Sequence, residues 1–309
     1  MKFRMMISRI LTVVVLVTLF AAIPFRVPLS AQEPGAGSLS SFAFTTLDFP
    51  DATSTIANAI NDLGDIVGQY NDSAGVTHAF LMRQGKFTSL DFPGATATLA
   101  FGINNFGEIV GLYGDNSDFF GHGFLLQRGR FTTIDFPQAA LIQDEANGIN
   151  ILGQIVGNYT GDDFLSHGYL LSDGKFKKID FPGASQSVPF AINVFGSVVG
   201  LYFDSSGNFH GFLLQGGTFS THDFPSATLT QANGINGLGL IVGDYVDSNG
   251  GLHGYREIGQ DFTSIDVPNA TATVAFGINV HNRIVGFYSD TSGVTHGFVT
   301  NPKAATAAN

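Results

Sequence analysis

Three observations predict an all-β fold. A motif is repeated six times in tandem, each copy holds four short apolar runs, and an unpaired run stands at either end. Together they point to a six-bladed β-propeller of four-stranded blades, the ring closed by pairing residues 44–50 with residues 296–300. The second copy reads Asp91-Phe92-Pro93, Phe101-Gly102-Ile103-Asn104, Ile109-Val110-Gly111-Leu112-Tyr113 and His122-Gly123-Phe124-Leu125-Leu126. Its opening Asp recurs at Asp48, Asp91, Asp135, Asp180, Asp223 and Asp266, and its His at His78, His122, His167, His210, His253 and His296. The spacing of 43 to 45 residues is that of propeller blades or stacked solenoid units.

The first 31 residues lie outside the repeats. Lys2, Arg4 and Arg9 precede an uncharged run from Ile10 to Ile23, and small residues follow at Ser30-Ala31. This is the layout of a secretory signal peptide cleaved after Ala31, and the run is short for a span, which needs about 20 residues. Residues 32–43 read as a linker, 44–300 as the propeller and 301–309 as a flexible tail. Without residues 1–31 the chain carries 10 basic against 25 acidic groups. That balance favours a soluble protein and argues against nucleic acid or an anionic membrane as partner. There is no Cys, so an exported fold must rest on packing rather than disulfides.

The four runs of the second copy, strands A to D, are Thr98–Asn104, Glu108–Tyr113, His122–Gln127 and Arg130–Phe136. After residue 31 no segment sustains a helical apolar period. The C–D register follows from arithmetic. His122 and Asp135 are 13 residues apart, so a two-residue turn at Arg128-Gly129 sets them opposite each other. The same holds for His78 with Asp91, His167 with Asp180, His210 with Asp223 and His253 with Asp266, each with a Gly in the turn, as tight hairpins favour. At the ends, His296-Gly297-Phe298-Val299 is a C strand without a D strand, and Phe44–Pro50 is a D strand without a C strand. Pairing them sets His296 against Asp48 and completes six blades.

Strand A would line the central channel. Phe101 and Leu112 are expected to face each other across the A–B turn, and the matching pairs alternate around the ring. They are apolar in even copies (Phe101–Leu112, Phe190–Leu201, Phe276–Phe287) and polar in odd ones (Asn58–Gln69, Asn147–Asn158, Asn233–Asp244). Both members change together, as contacting residues would. Three Phe and three amides at one channel mouth could bind a ligand or could simply pack the blades.

Each His/Asp pair could serve as an acid/base dyad, but a pair present in every blade reads better as a hairpin lock. Asp72, Asp115, Asp162, Asp204, Asp247 and Asp290 in the B–C loops match no calcium-loop spacing and read as turn residues. Symmetry fails in copy three, with two extra residues within Leu141–Glu145, and in copy two, with one extra in Asp115–Phe120. These form a candidate asymmetric loop patch that includes Asp144 and Glu145.

The run Gly102-Ile103-Asn104-Asn105-Phe106-Gly107-Glu108-Ile109-Val110-Gly111, followed by His122-Gly123-Phe124, resembles the bacterial extracellular HAF repeats, and His78-Ala79-Phe80 matches their ending literally. The likeness spans all six copies. It implies an exported bacterial protein and carries no catalytic residues. The expected function is a secreted or periplasmic, monomeric, non-catalytic propeller whose loops bind a protein or a surface glycan, with no cofactor or metal. A glycan-acting enzyme and a multivalent lectin-like binder are the alternatives. The absence of Trp for sugar stacking counts against the enzyme, as does the lack of a unique nucleophile or carboxylate pair.

Overall fold

The computed structural model describes residues 42–115, 121–137, 139 and 141–302. The expected signal peptide, most of the linker and residues 303–309 lie outside the described residues, as does the copy-two loop Asp115–Phe120 apart from Asp115.

Among the described residues, twenty-four strands form six four-stranded antiparallel sheets arranged as the blades of a closed ring, each in the order A-B-C-D. In blade 2 the strands are Ala97–Ile103, Ile109–Gly114, Gly121–Gln127 and Arg130–Ile134. Blade 6 takes strand D from the other end of the chain. Phe42–Leu47 pairs along Thr295–Pro302, with Leu47 opposite Gly297. This closing strand starts two residues before the expected boundary, because Phe42 is buried in the core between blades 5 and 6.

The C–D registers are as read from the sequence. Gln127 faces Arg130 and Gly123 faces Ile134, with φ of 51° at Arg128 and 77° at Gly129. Both turn residues therefore take the positive φ that suits a right-twisted hairpin.

The A–B register departs from expectation. Leu112 faces Leu99, not Phe101, because the ladder shifts between Ala100 and Gly102. Phe101 is the extra residue of a β-bulge, and the equivalent shift recurs at Asn58, Asn147, Phe190, Asn233 and Phe276. A bulge bends the strand and increases its twist, as six inner strands crowding one axis require. The crowding is visible at Gly102, where a Cβ would sit 2.9 Å from the Asn147 carbonyl of the next blade.

Each blade buries one large ring on strand C: Phe80, Phe124, Tyr169, Phe212, Tyr255 and Phe298. The ring lies over the Gly of the Ile-Val-Gly run on strand B. At Gly111 a Cβ would fall 2.8 Å from the Phe124 ring. The Ile and Val before that Gly face opposite ways. Ile109 packs within its own blade, whereas Val110, with Ile134 of the same blade, packs against Tyr159 and Tyr169 of the next.

The Asn that ends each strand A fastens the ring. The Asn104 amide donates to the Asn150 carbonyl, and the same bond runs Asn61 to Asn104, Asn150 to Asn193, Asn193 to Asn236, Asn236 to Asn279 and Asn279 back to Asn61, at 2.9–3.2 Å. Its side-chain oxygen meanwhile accepts two backbone N–H groups of its own A–B turn, as Asn104 does from Phe106 and Glu108.

Candidate functional site

Each His/Asp pair forms, with Nδ1 2.7–3.1 Å from the strand-D carboxylate. Each His ring also packs on the strand-B Tyr, which in blades 1 to 5 stacks on the Phe of the Asp-Phe-Pro run at 3.6–3.8 Å. The other ring nitrogen faces a B–C loop carboxylate, at 3.2–3.6 Å from Asp72, Asp163, Asp204, Asp247 and Asp290 in blades 1, 3, 4, 5 and 6. These loop carboxylates also accept backbone N–H groups of their own turns, Asp204 from Ser206 and Asn208. The backbone bond from Asn208 is the main cause that holds Asp204 down at about 2. In blade 3 the residue in this role is Asp163, one position after the expected Asp162, and it accepts from Leu165. The six pairs thus sit in a repeated stack of rings and turns, the environment of a structural lock.

The six bulge residues converge as expected. Asn58, Phe101, Asn147, Phe190, Asn233 and Phe276, joined by Glu145, line a cavity of about 50 Å³ in the channel. The three amides are buried, and each uses its N–H groups twice. Asn147 donates to Asn158 Oδ1 at 2.8 Å and to the Pro189 carbonyl of the next blade at 2.9 Å. Asn58 does the same with Gln69 and Ala100, and Asn233 with Asp244 and Ala275. The polar cross-strand contacts expected from the sequence therefore exist, made diagonally across the bulge.

Asp144 and Glu145 do not form an exposed loop patch. They lie in strand A of blade 3, Leu141–Ile149, with exposures of 1 % and 8 %. A second register shift, between Leu141 and Asp144, absorbs the extra residues inside the strand. Asp144 stands where other blades carry Thr or Ser. Its Oδ2 accepts the Phe136 N–H at 2.7 Å, as the Thr98 hydroxyl accepts that of Phe92. Burial, opposed by this bond, pushes Asp144 up to about 7. Glu145 stands where Ile56, Leu99 and Val188 stand in other blades and is the one carboxylate lining the cavity. Burial, then the nearby Asp144 charge, raises it to about 7 against a hydrogen bond from Asn158. Asp244, buried behind Asn233, is raised to about 7 by burial alone, against the Asn233 bond.

Sequence reading missed the opposite end. The A–B turn tips Leu63, Phe106, Leu152, Phe195 and Leu238 are 68–79 % exposed, and His281 is the sixth tip. The turns that carry this crown of tips surround a funnel of about 240 Å³, lined not by the tips but by the turn residues before them and by Ile60, Ile103, Ile149, Ile192, Ile235 and Ile278. The C–D turns share this end and present Arg83, Lys86, Arg128, Arg130 and Lys175, all exposed. Two clefts of about 840 and 590 Å³ lie here at the meeting of blades 6, 1 and 2 and share Arg83 and Phe106. A large apolar residue directly before the turn Gly was the available signal, and its recurrence at five tips separates it from a stray exposed side chain.

A second overlooked feature is one buried polar pair between blades. His222 Nδ1 lies 2.7 Å from Glu257 Oε1, with Ser220 Oγ 3.0 Å from the other ring nitrogen.

No protein-family model matches the chain, and no curated protein does. Solved structures with the same architecture include AofleA from Arthrobotrys oligospora, at 13 % identity and TM-score 0.55 over 84 % of this chain and 86 % of that one. A mutant Aleuria aurantia lectin in complex with Fucalpha1-6GlcNAc aligns at 13 % identity and TM-score 0.50 over 82 % and 98 %. XC5397 from Xanthomonas campestris, described as a gluconolactonase, aligns at 11 % identity and TM-score 0.51 over 84 % and 90 %. A lectin and an enzyme on one architecture leave function to the site. What these likenesses establish for this chain is the six-bladed β-propeller fold.

Proposed function

We propose that this chain is an exported, non-catalytic binding propeller of the HAF-repeat type that docks a protein through its A–B turn face. The observation that carries the reading is the set of five exposed apolar tips, two of which, Leu63 and Phe106, border clefts of about 840 and 590 Å³. Large apolar side chains exposed at the same turn of successive blades present a repeated set of anchors on one face, and aromatic tips such as Phe106 are the residues that anchor interfaces. Arg83 is held by Asp65, and the exposed Lys86, Arg128, Arg130 and Lys175 of the C–D turns favour a partner whose apolar surface is set within acidic residues. The repeated use of His and Asp as hairpin locks supports the absence of a catalytic role.

A photo-crosslinking residue placed at Phe106 or Phe195 in the producing cell tests this. One discrete protein adduct is expected, whose purified partner binds with a salt-sensitive affinity that Phe106→Ser with Phe195→Ser abolishes. Binding to a surface-glycan array or to anionic lipid vesicles, with no protein adduct, would overturn the reading in favour of a lectin-like or membrane-facing role.

A further inference from the structure

The channel cavity on the other side of the bulges presents acceptors without donors. Asn58, Asn147 and Asn233 each commit the amide nitrogen to a cross-strand partner and to the next blade's carbonyl. The amide oxygen is then the one hydrogen-bonding atom each of these side chains can still offer. The fourth polar lining group is the Glu145 carboxylate, and the other three residues are Phe rings. All four polar residues are more than nine-tenths buried. Glu145 also accepts from Asn158, and none of these oxygens is among the buried polar atoms left without a partner, so they stay accessible from the cavity to a ligand that brings hydrogens.

The symmetry narrows the ligand. The three amides stand on blades 1, 3 and 5, a third of a turn apart, and the three Phe alternate with them. A primary ammonium group carries three N–H bonds spaced the same way about its C–N axis. Its positive charge suits both a carboxylate and the faces of aromatic rings. A hard divalent cation is a poorer match, since calcium takes six to eight oxygens and three Phe occupy half of this ring. A volume of about 50 Å³ fits the ammonium head and one or two carbons.

We propose that this cavity binds a small primary alkylammonium group, its three N–H bonds directed to the amide oxygens of Asn58, Asn147 and Asn233 and its charge balanced by Glu145. The site is independent of the crown at the opposite end, so failure of either leaves the other standing. The same head group could belong to a free amine or to the end of a longer diamine. The raised Glu145 adds a consequence: the cation binds the ionised carboxylate and so competes with a proton.

The test is titration of the full chain with ¹³C-methylammonium chloride, followed by NMR, with a melting curve at each concentration. Saturable binding is expected, with the methyl signal moved upfield by the three rings and a melting temperature raised above that in equal potassium chloride. Affinity should rise about tenfold per pH unit below pH 7 and level off above it. Glu145→Gln should weaken binding at least tenfold. That variant keeps its fold because it removes a buried charge, and its melting curve without ligand checks this. Phe190→Leu should reduce the upfield shift. A diamine that binds tighter than methylammonium would identify a longer ligand entering from the mouth, and equal affinity would identify the free amine. An unsaturable signal, or a melting response identical with potassium chloride and in Glu145→Gln, would overturn the proposal and leave a water-filled cavity.

Discussion

Asp48 and His296 are 248 residues apart in the chain and 3.0 Å apart in the fold. They form the same lock as the five pairs made within single hairpins, here made between the two ends of the ring. The lock itself is weak. Both groups are partly exposed, and a cross-strand pair of this kind contributes about 0.2–1 kcal/mol. Asp48→Ala should therefore cost no more than Asp91→Ala in urea denaturation. Deleting residues 1–47 is a different matter, because it removes the strand that covers Thr295–Pro302 and takes Phe42 and Leu47 from the core. An uncovered strand edge recruits other chains, so that truncation should elute from size exclusion as oligomers.

His222 and Glu257 occupy positions that are apolar in blade 2, where Ile134 and Leu126 stand. Glu257 Oε2 is buried without a hydrogen-bond partner among the described residues. His222→Ile strands a buried carboxylate and should cost about 3–5 kcal/mol. Glu257→Leu leaves the buried imidazole without its partner and should cost about 1–3 kcal/mol. The double replacement restores the packing of the other blades and should match or exceed the parent in stability. A double-mutant cycle in urea measures all three, and purely additive losses would show that the pair is not coupled.

Asp244 and Glu145 are both raised to about 7 by burial, so the folded chain holds protons that the unfolded chain has already released. Stability contributed by their neutral forms is full below the ordinary carboxylate range and is lost as pH rises toward 7. Asp204 and Asp290, lowered to about 2, act the other way: their stabilisation is present above the ordinary carboxylate value and lost as pH falls through 2. The stability optimum is therefore expected on the acid side of neutrality, near pH 4–5. Asp244→Asn should flatten the alkaline limb and stabilise the fold at pH 8 by about 1–4 kcal/mol, checked by urea midpoints at pH 5 and pH 8.

Phe106 and Phe124 separate surface from core within one blade. Phe106→Ser should leave stability within about 0.5 kcal/mol, since its ring is 73 % exposed. Phe124→Ala should cost about 3–5 kcal/mol, since its ring is buried over Gly111. Equal losses at the two sites would mean that the crown is structural and not a docking surface.

The contrast between the two hairpins of a blade explains what the sequence could reveal. A two-residue turn leaves no slack, so His122 and Asp135 locate each other by counting alone. The A–B pairing contains a bulge, which adds a residue to one strand without disturbing the spacing of apolar residues, so Phe101 and Leu112 looked opposed. The same blindness applies to Asp144 and Glu145. Extra residues usually mean a loop, but here a second shift folds them into the strand and carries two carboxylates indoors. The convergence of Asn58, Asn147 and Asn233 was legible because it depends on alternation around the ring, which a register error common to all blades does not alter.

The circle of Asn amides has a direction. Each repeat brings its own clasp and asks of its successor only a main-chain carbonyl, which every residue type possesses. At this clasp the junction demands nothing of the successor's side chain, so what neighbouring copies must keep in common is the apolar core they share, as at Val110, Tyr159 and Tyr169, while loops and tips are free to diverge. A lineage that duplicates or swaps such units inherits a working junction each time, so variation can gather at the rim without endangering the wheel.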